Sequence, residues 1–230
     1  MPDYKAPLRD MRFVLNEVLD MDGHYQGLGL EEINSELLNA FLEEGAKFAE
    51  NELAPLNRSG DEEGCGFDNG VVTTPKGFKE AYAKYVEGGW PAMGGDPEFG
   101  GQGLPGSAGI AISEMTGTAN WSWSMYPGLS HGAVATIEEH GTDEQKQAYL
   151  PKLTSGEWTG TMCLTEPHCG SDLGILKSKA EPNADGSFNI TGTKIFISAG
   201  EHDMAENIVH IVLARLPDAP KGTKGISLFI

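Results

Sequence analysis

The feature that most restricts the fold is a change of hydrophobic period at Gly156. Before it, apolar residues recur at steps of three and four, the spacing of one helix face. After it they alternate in short runs rich in Ile, Val, Thr and Phe, the spacing of strands. A chain that does the two things in succession has to segregate them. The expected class is α+β with separate domains: an all-helical part at 1–155, then an antiparallel β-barrel or sandwich at 156–230, cut short at its C-terminal end.

Within the helical part, Leu8, Met11, Phe13, Val14, Leu15, Val18 and Leu19 predict a short, largely buried helix, broken by Gly23 to Gly29. From Glu31 to Leu53, Ile33, Leu37, Leu38, Phe41, Leu42, Phe48 and Leu53 form one stripe, with Glu36, Glu43, Glu44, Glu50 and Glu52 as a solvated face. Pro55 to Asn69 reads as a loop. Thr74 and Pro75 suit a helix start, and that helix stops at Gly88-Gly89. Trp90 to Gly106 is glycine- and proline-rich and lacks the Gly-Lys-Ser/Thr of a phosphate loop, so it reads as a structural connection. Ser107 to Asn120 predicts a closely packed helix. Trp121, Trp123, Met125 and Tyr126 read as core filling, with the wall of an apolar ligand pocket as the alternative. His131 lies on the next helix as a packing residue and not a base. Gly141 then ends that helix, and Thr142 with Gln145 makes a capping box for another that stops near Pro151.

The strand candidates are Trp158–Thr165, Leu176–Glu181, Ser187–Ser198, Glu206–Leu216 and Gly225–Ile230, with a hairpin turn at Asn183-Ala184-Asp185-Gly186. On the third of these, Phe196 and Ser198 would share one face while Ile195 and Ile197 point to the other.

Charge narrows the function. Sixteen basic residues against 34 acidic ones give −18, which argues against nucleic acid and anionic membranes as partners. Cys65, Cys163 and Cys169 are too few for a disulfide framework, and no apolar leader or membrane-length run appears. A cytoplasmic protein is expected. A metal set from Cys163, His168 and Cys169 lacks paired-ligand spacing, so no metal is expected either.

The stretch Thr161 to Asp172 concentrates the chemistry. Pro167 has no N–H to give a ladder, so a strand arriving from Trp158 should end near Glu166. Beyond it, Gly170 permits close backbone approach, and Ser171 and Asp172 add a hydroxyl and a turn-favouring carboxylate. Such a strand end suits a polar ring or a phosphate. Read from the residues alone, it is equally a capped loop between two strands.

Leu164-Thr165-Glu166-Pro167 followed by Gly170-Ser171-Asp172 resembles the flavin-binding signature of the acyl-CoA dehydrogenase family. Phe196-Ile197-Ser198 resembles that family's second flavin segment, usually Trp-Ile-Thr. The run His131, Ile137, Gly141-Thr142, Gln145-Lys146, Leu150-Pro151, Gly156-Glu157 resembles its approach to the signature, and Pro97-Glu98-Phe99-Gly100-Gly101 its early helix connection. The opening Met1 to Phe13 is similar to the long bacterial branch that includes 3-methylmercaptopropionyl-CoA dehydrogenases.

That resemblance implies α,β-dehydrogenation of an acyl-CoA thioester with FAD as cofactor. By it, Met162, Leu164 and Thr165 line the flavin, Gly170 and Ser171 contact it, and Phe196, Ile197 and Ser198 complete the wall. Ser171 would also touch the thioester end of the substrate. Met162 stands where many members carry an aromatic; a thioether packs on a ring edge. His168-Cys169 stands where small residues are common. The family's catalytic glutamate lies in a C-terminal helical domain, beyond Ile230, so no residue of this chain is assigned as the base. The implied partners are an acyl-CoA, an electron-transfer flavoprotein and further copies in a homodimer or homotetramer. The alternatives are an acyl-CoA oxidase and a non-catalytic binding module that keeps the fold. The 230-residue piece alone is expected to bind FAD poorly and to turn over nothing.

Overall fold

The computed structural model describes residues 4–230. Met1 to Asp3, part of the opening resemblance, lie outside them. The described chain forms two compact units, Met1–Ser124 and Met125–Ile230.

The first unit is helical apart from one hairpin. Helix α1 (Leu8–Arg12) runs on through wider turns at Phe13–Val18 and is followed by α2 (Met21–Gly27). Two expectations are corrected here. Phe13, Val14, Val18 and Leu19 are exposed rather than buried. The glycines at 23 and 27 sit inside or at the end of a helix rather than breaking one, because the Asp20 carboxylate caps the Gly23 N–H. Helix α3 (Ser35–Phe48) starts on the Asn34 side chain, which accepts the Leu37 N–H at 3.0 Å. It continues through Ala49–Leu53 into α4 (Ala54–Glu63). The expected loop at Pro55 is thus helical, with Pro55 standing where the wider turns of Ala49–Leu53 give way to α4. Strands β1 (Gly66–Asp68) and β2 (Val71–Thr73) pair antiparallel.

Helix α5 (Phe78–Glu87) begins after Gly77, not at Thr74. Helix α6 (Gly106–Ala119) closes the unit. Its core gathers Phe48, Tyr82 and Tyr85 around Trp123, which is wholly buried and donates its indole N–H to the Phe78 carbonyl at 3.1 Å. Trp123 is therefore core, while Trp121 is exposed. The glycine-rich connection at 90–106 folds tightly on itself. Gln102 N–H reaches Ala92 O, Gly103 N–H reaches Gly95 O, and Leu104 N–H reaches Met93 O. A Cβ on Gly101 would stand 1.9 Å from the Gly95 oxygen, so glycine is required there for backbone packing.

Helix α7 (Trp121–His140) crosses the boundary between units, and α8 (Asp143–Ser155) opens the rest of the second. His131 is exposed on α7 rather than packed. The capping box forms as expected, Thr142 N–H to Gln145 Oε1 at 2.9 Å with the reciprocal bond present. Helix α8 runs past Pro151 to Ser155 and ends on Gly156 in the left-handed region. The strand part then starts where the period changes.

Strand β3 (Trp158–Cys163) pairs with β6 (Asn207–Ala214), which pairs with β7 (Ser227–Phe229). A second sheet joins β4 (Lys179–Pro182) to β5 (Phe188–Thr191) through the expected hairpin turn. The segregated α+β class stands, but two details differ. The sheets do not close into a barrel, and β3 with β6 is parallel, Trp158 opposite Asn207 through Cys163 opposite Val212. Alternation shows a strand but not its partner's direction. The long excursion through β4 and β5 is what lets the chain return in the same sense. Strand β6 is central, which accounts for its nearly unbroken Ile-Val-His-Ile-Val-Leu-Ala run.

Helix α7 covers β3 at Gly160. Its N–H, turned away from β6, donates to Ser130 Oγ at 3.0 Å, and a Cβ on Gly160 would meet Ala133 Cβ at 2.4 Å. Gly160→Val is expected to lower stability by roughly 2 kcal/mol through overpacking, read as a lower urea midpoint at unchanged slope. An unchanged midpoint would refute this account of the helix–sheet contact.

Candidate active site

The chemistry-bearing stretch leaves β3 at Cys163, earlier than Glu166, and folds into a tight turn. Glu166 N–H donates to Cys169 O at 2.8 Å and Cys169 N–H returns to Glu166 O at 3.1 Å, so Pro167 and His168 form its tip. The turn brings Gly170 back onto Thr165, whose Cγ2 lies 3.3 Å from where a Gly170 Cβ would stand. Asp172 accepts the Gly174 N–H at 3.0 Å and starts the next turn.

The second segment is tied to the first through backbone. Ile195 N–H donates to Thr165 O at 2.9 Å. This puts Phe196, Ile197 and Ser198 beside Leu164 and Thr165. The expected geometry of that segment is corrected, however. The ladder ends at Thr191, and Phe196 and Ala199 both take φ of +54°. Phe196 and Ser198 therefore do not share a strand face. Phe196 projects almost fully into solvent, 89 % exposed, and Met162 on β3 is 37 % exposed. Met162, Leu164, Thr165, Gly170, Ser171, Phe196, Ile197 and Ser198 all fall within the second unit, on two adjoining segments.

A residue that sequence reasoning treated only as a strand end holds these segments. Glu166 is 3 % exposed. One of its oxygens accepts the Lys177 N–H at 2.8 Å, and the other accepts the Ser178 N–H at 2.9 Å and the Lys194 ammonium at 3.0 Å. Burial opposes the charged carboxylate, but the hydrogen bonds from Ser178, Lys177 and Lys194 outweigh it and hold its pKa at about 2. Lys194 also donates to Leu164 O at 3.1 Å. Glu166 and Lys194 are 28 residues apart, and neither helical nor strand spacing links them, so no local pattern pointed to the pair.

The same turn places the Glu166 carboxylate, a His168 ring nitrogen and Cys169 Sγ within 4.8 Å of one another. This trio differs from the Cys163, His168 and Cys169 set weighed from sequence. Its carboxylate is already met by two backbone N–H groups and a lysine cation, and His168 Nε2 is 3.0 Å from the Ile175 carbonyl. The arrangement is that of an internal anchor.

Beneath the turn, β3 carries two threonine–histidine contacts. Thr159 Oγ1 lies 2.9 Å from His202 Nε2, and Thr161 Oγ1 lies 2.7 Å from His210 Nδ1. His202 Nδ1 accepts the Met204 N–H at 3.2 Å, so Nε2 carries the proton and donates to Thr159. Burial lowers the pKa of His202, against the opposing pull of Glu201 and Asp203, and it lowers His210 against Glu201.

With that geometry in view, the family is clear. The model of the acyl-CoA dehydrogenase N-terminal domain matches residues 35–157, and the chain belongs to the acyl-CoA dehydrogenase family. Among curated relatives, 3-methylmercaptopropionyl-CoA dehydrogenase of Ruegeria pomeroyi is 44% identical over 227 residues, covering 99% of this chain and 39% of its own length. Butyryl-CoA dehydrogenase from Megasphaera elsdenii superposes with a TM-score of 0.69 at 27% identity, over 86% of this chain and 48% of that one. Acyl-CoA dehydrogenase complexed with FAD from Bacillus anthracis does so with a TM-score of 0.66 at 27% identity, over 87% and 31%. The chain thus spans about two-fifths of the length of the curated relatives it matches. Among the described residues, no helix is long and apolar enough to cross a membrane.

Two pH limbs follow from these groups. The unfolded His202 titrates near 6.5 and the folded one lower, so stability is full above about pH 6.5 and declines as pH falls through that window. Glu166, ordinary near 4.5 and held at about 2, contributes stability that is present above pH 4.5 and is lost toward pH 2. Urea unfolding across pH is expected to show both. His202→Asn should remove part of the upper limb only, and an unaltered profile in that variant would contradict the assignment.

Proposed function

We propose that this chain is the flavin- and thioester-binding portion of an FAD-dependent acyl-CoA dehydrogenase. The observation that carries the reading is the Ile195 N–H to Thr165 O bond, which sets the Leu164–Ser171 turn beside the Phe196–Ser198 segment. The family match and the FAD complex among the similar structures support it. The end of the domain match at residue 157, next to the change of period, supports a helical domain at 1–155 and a flavin-binding β domain from 156.

The residues present fit a flavin. Two large apolar side chains, Met162 and Phe196, are open to solvent on the two joined segments that also carry the hydroxyls of Thr165, Ser171 and Ser198, which suits a ring with an apolar face and polar rim. A Cβ on Gly170 would meet Thr165 Cγ2 at 3.3 Å, so glycine lets the turn close against Thr165. Met162, Leu164 and Thr165 would line the ring, Gly170 and Ser171 would contact it, and Phe196, Ile197 and Ser198 would complete the wall. Bound FAD supplies the two-electron acceptor. The chain's own contribution is to bind, orient and exclude water. Ser171, exposed at the turn, would touch the thioester end of the substrate, and a hydrogen bond from its hydroxyl to the carbonyl would acidify the neighbouring α-carbon. The base that takes the α-proton is assigned to no residue here.

The names of the relatives support an acyl-CoA thioester as substrate, and the 44% identity to a 3-methylmercaptopropionyl-CoA dehydrogenase makes that acyl group the first to try. An electron-transfer flavoprotein as acceptor, further copies of the chain and a cytoplasmic setting belong to the same proposal.

The test is to express the protein at the full length of its gene and expose it anaerobically to acyl-CoA. A yellow protein whose visible absorption bleaches on mixing is expected. A colourless protein that releases no flavin on denaturation would overturn the reading. Ser171→Ala is expected to slow bleaching of the flavin that remains bound by about 100-fold or more, as for loss of a donor to a developing oxyanion.

A further inference from the structure

We propose that Glu166 and Lys194 are the positioning residues of the flavin wall, their ion pair fixing the Leu164–Thr165 and Ile195–Ser198 segments against each other. This rests on the flavin reading for its function, though the geometry stands apart from it.

The second segment has little else to hold it. Among the described residues, the backbone hydrogen bonds between Gly192 and Ala199 are Ile195 N–H to Thr165 O and Gly200 N–H to Ile197 O. No ladder continues past Thr191. The segment nonetheless keeps Phe196 and Ala199 in the left-handed region, which costs about 1 kcal/mol or more for each residue with a Cβ. Phe196 cannot recover that cost by burying its ring, since the ring is open to solvent. Strain of this kind persists where neighbours over-determine the backbone, and it gathers at binding sites.

The over-determining contact is adjacent. The Lys194 side chain is 12% exposed and the Glu166 side chain 3%. The ammonium makes two bonds at once, to Glu166 Oε1 and to Leu164 O, so it reaches both the side chain and the backbone of the first segment. Glu166 in turn is fixed by the Lys177 and Ser178 N–H groups at the entry to β4. His168 Nε2, 3.6 Å from Glu166 Oε2, and the Cys169 thiol, within 4.8 Å of that carboxylate, are the other titratable groups against the pair among the described residues. One carboxylate thus joins three stretches of chain, and two of them carry every residue assigned to the flavin. A buried pair of this kind is weak evidence for net stability and better evidence for fixing one arrangement, because removing either partner leaves an uncompensated charge.

The test compares Lys194→Met, Lys194→Arg and wild type at full gene length. FAD affinity is read from flavin fluorescence, and amide hydrogen exchange is read at Ile195 and along β3 and β6. Lys194→Met is expected to weaken FAD binding by about tenfold or more and to release the Ile195 amide, with the β3–β6 amides still protected. Lys194→Arg, which keeps the charge and a donor fork, should restore both to within about threefold of wild type. A purely structural role would instead loosen the β3–β6 amides together with Ile195 and would leave the flavin spectrum of the folded fraction unchanged; that outcome overturns the proposal. So does a folded Lys194→Met that binds FAD as wild type does with Ile195 still protected. If wild type binds no FAD at full length, the flavin reading fails, and the exchange pattern alone decides whether the clasp fixes the segment. Should Lys194→Met not fold, Lys194→Gln, which keeps a donor for Leu164 but loses the charge, carries the same comparison.

Discussion

A carboxylate taken out of water must find donors for its oxygens, and that requirement at Glu166 organises the second unit of this protein. Its oxygens draw in the backbone of Lys177 and Ser178 and the side chain of Lys194, from stretches that are far apart along the chain. The convergence sets where β4 begins, where the turn at Pro167–His168 doubles back, and where the irregular segment after Thr191 must lie. The depressed pKa is the same fact seen from the proton's side: with the donors already aimed, the charged form is the one the site prefers.

The sheet beneath is built to be covered on one side and joined on the other. Gly160 lets α7 approach β3 closely, and Ser130 accepts the N–H that the ladder leaves over, so this edge is satisfied without a further strand. Thr159 and Thr161 meet histidines on the opposite flank of the ladder, which keeps buried hydroxyls paired. A turn resting on such a base can hold exposed groups such as Met162 and Ser171 in place without burying them. Binding residues offered from a rigid support need little ordering when a ligand arrives.

Local signals carried a large part of the fold. The capping box at Thr142, the hairpin at Asn183–Gly186, the stripe of α3 and the change of period at Gly156 all depend on residues a few positions apart, and all are present. Where local signals competed, the outcome lay elsewhere in the molecule. Pro55 looked like a breaker and instead stands at the second position of α4, where the wider turns of Ala49–Leu53 give way to α-helical ones. Phe13, Val14, Val18 and Leu19 have a buried pattern but no neighbour in the described chain that covers them. Phe196 and Ser198 alternate in sequence, yet the strand ends at Thr191 and Phe196 itself takes a left-handed backbone.

The sequence by itself determined the class of the fold, the positions of most elements and the two motifs that place the chain in its family. These rest on period, caps and turns, whose physics is complete within one or two turns of backbone. Only the tertiary structure decided that β3 and β6 run parallel, that Phe196 stands clear of any sheet, and that Glu166 and Lys194 are partners. Strand direction depends on a crossover of many residues, and a buried ion pair depends on which groups are desolvated together. Neither quantity has a spacing that the sequence could display.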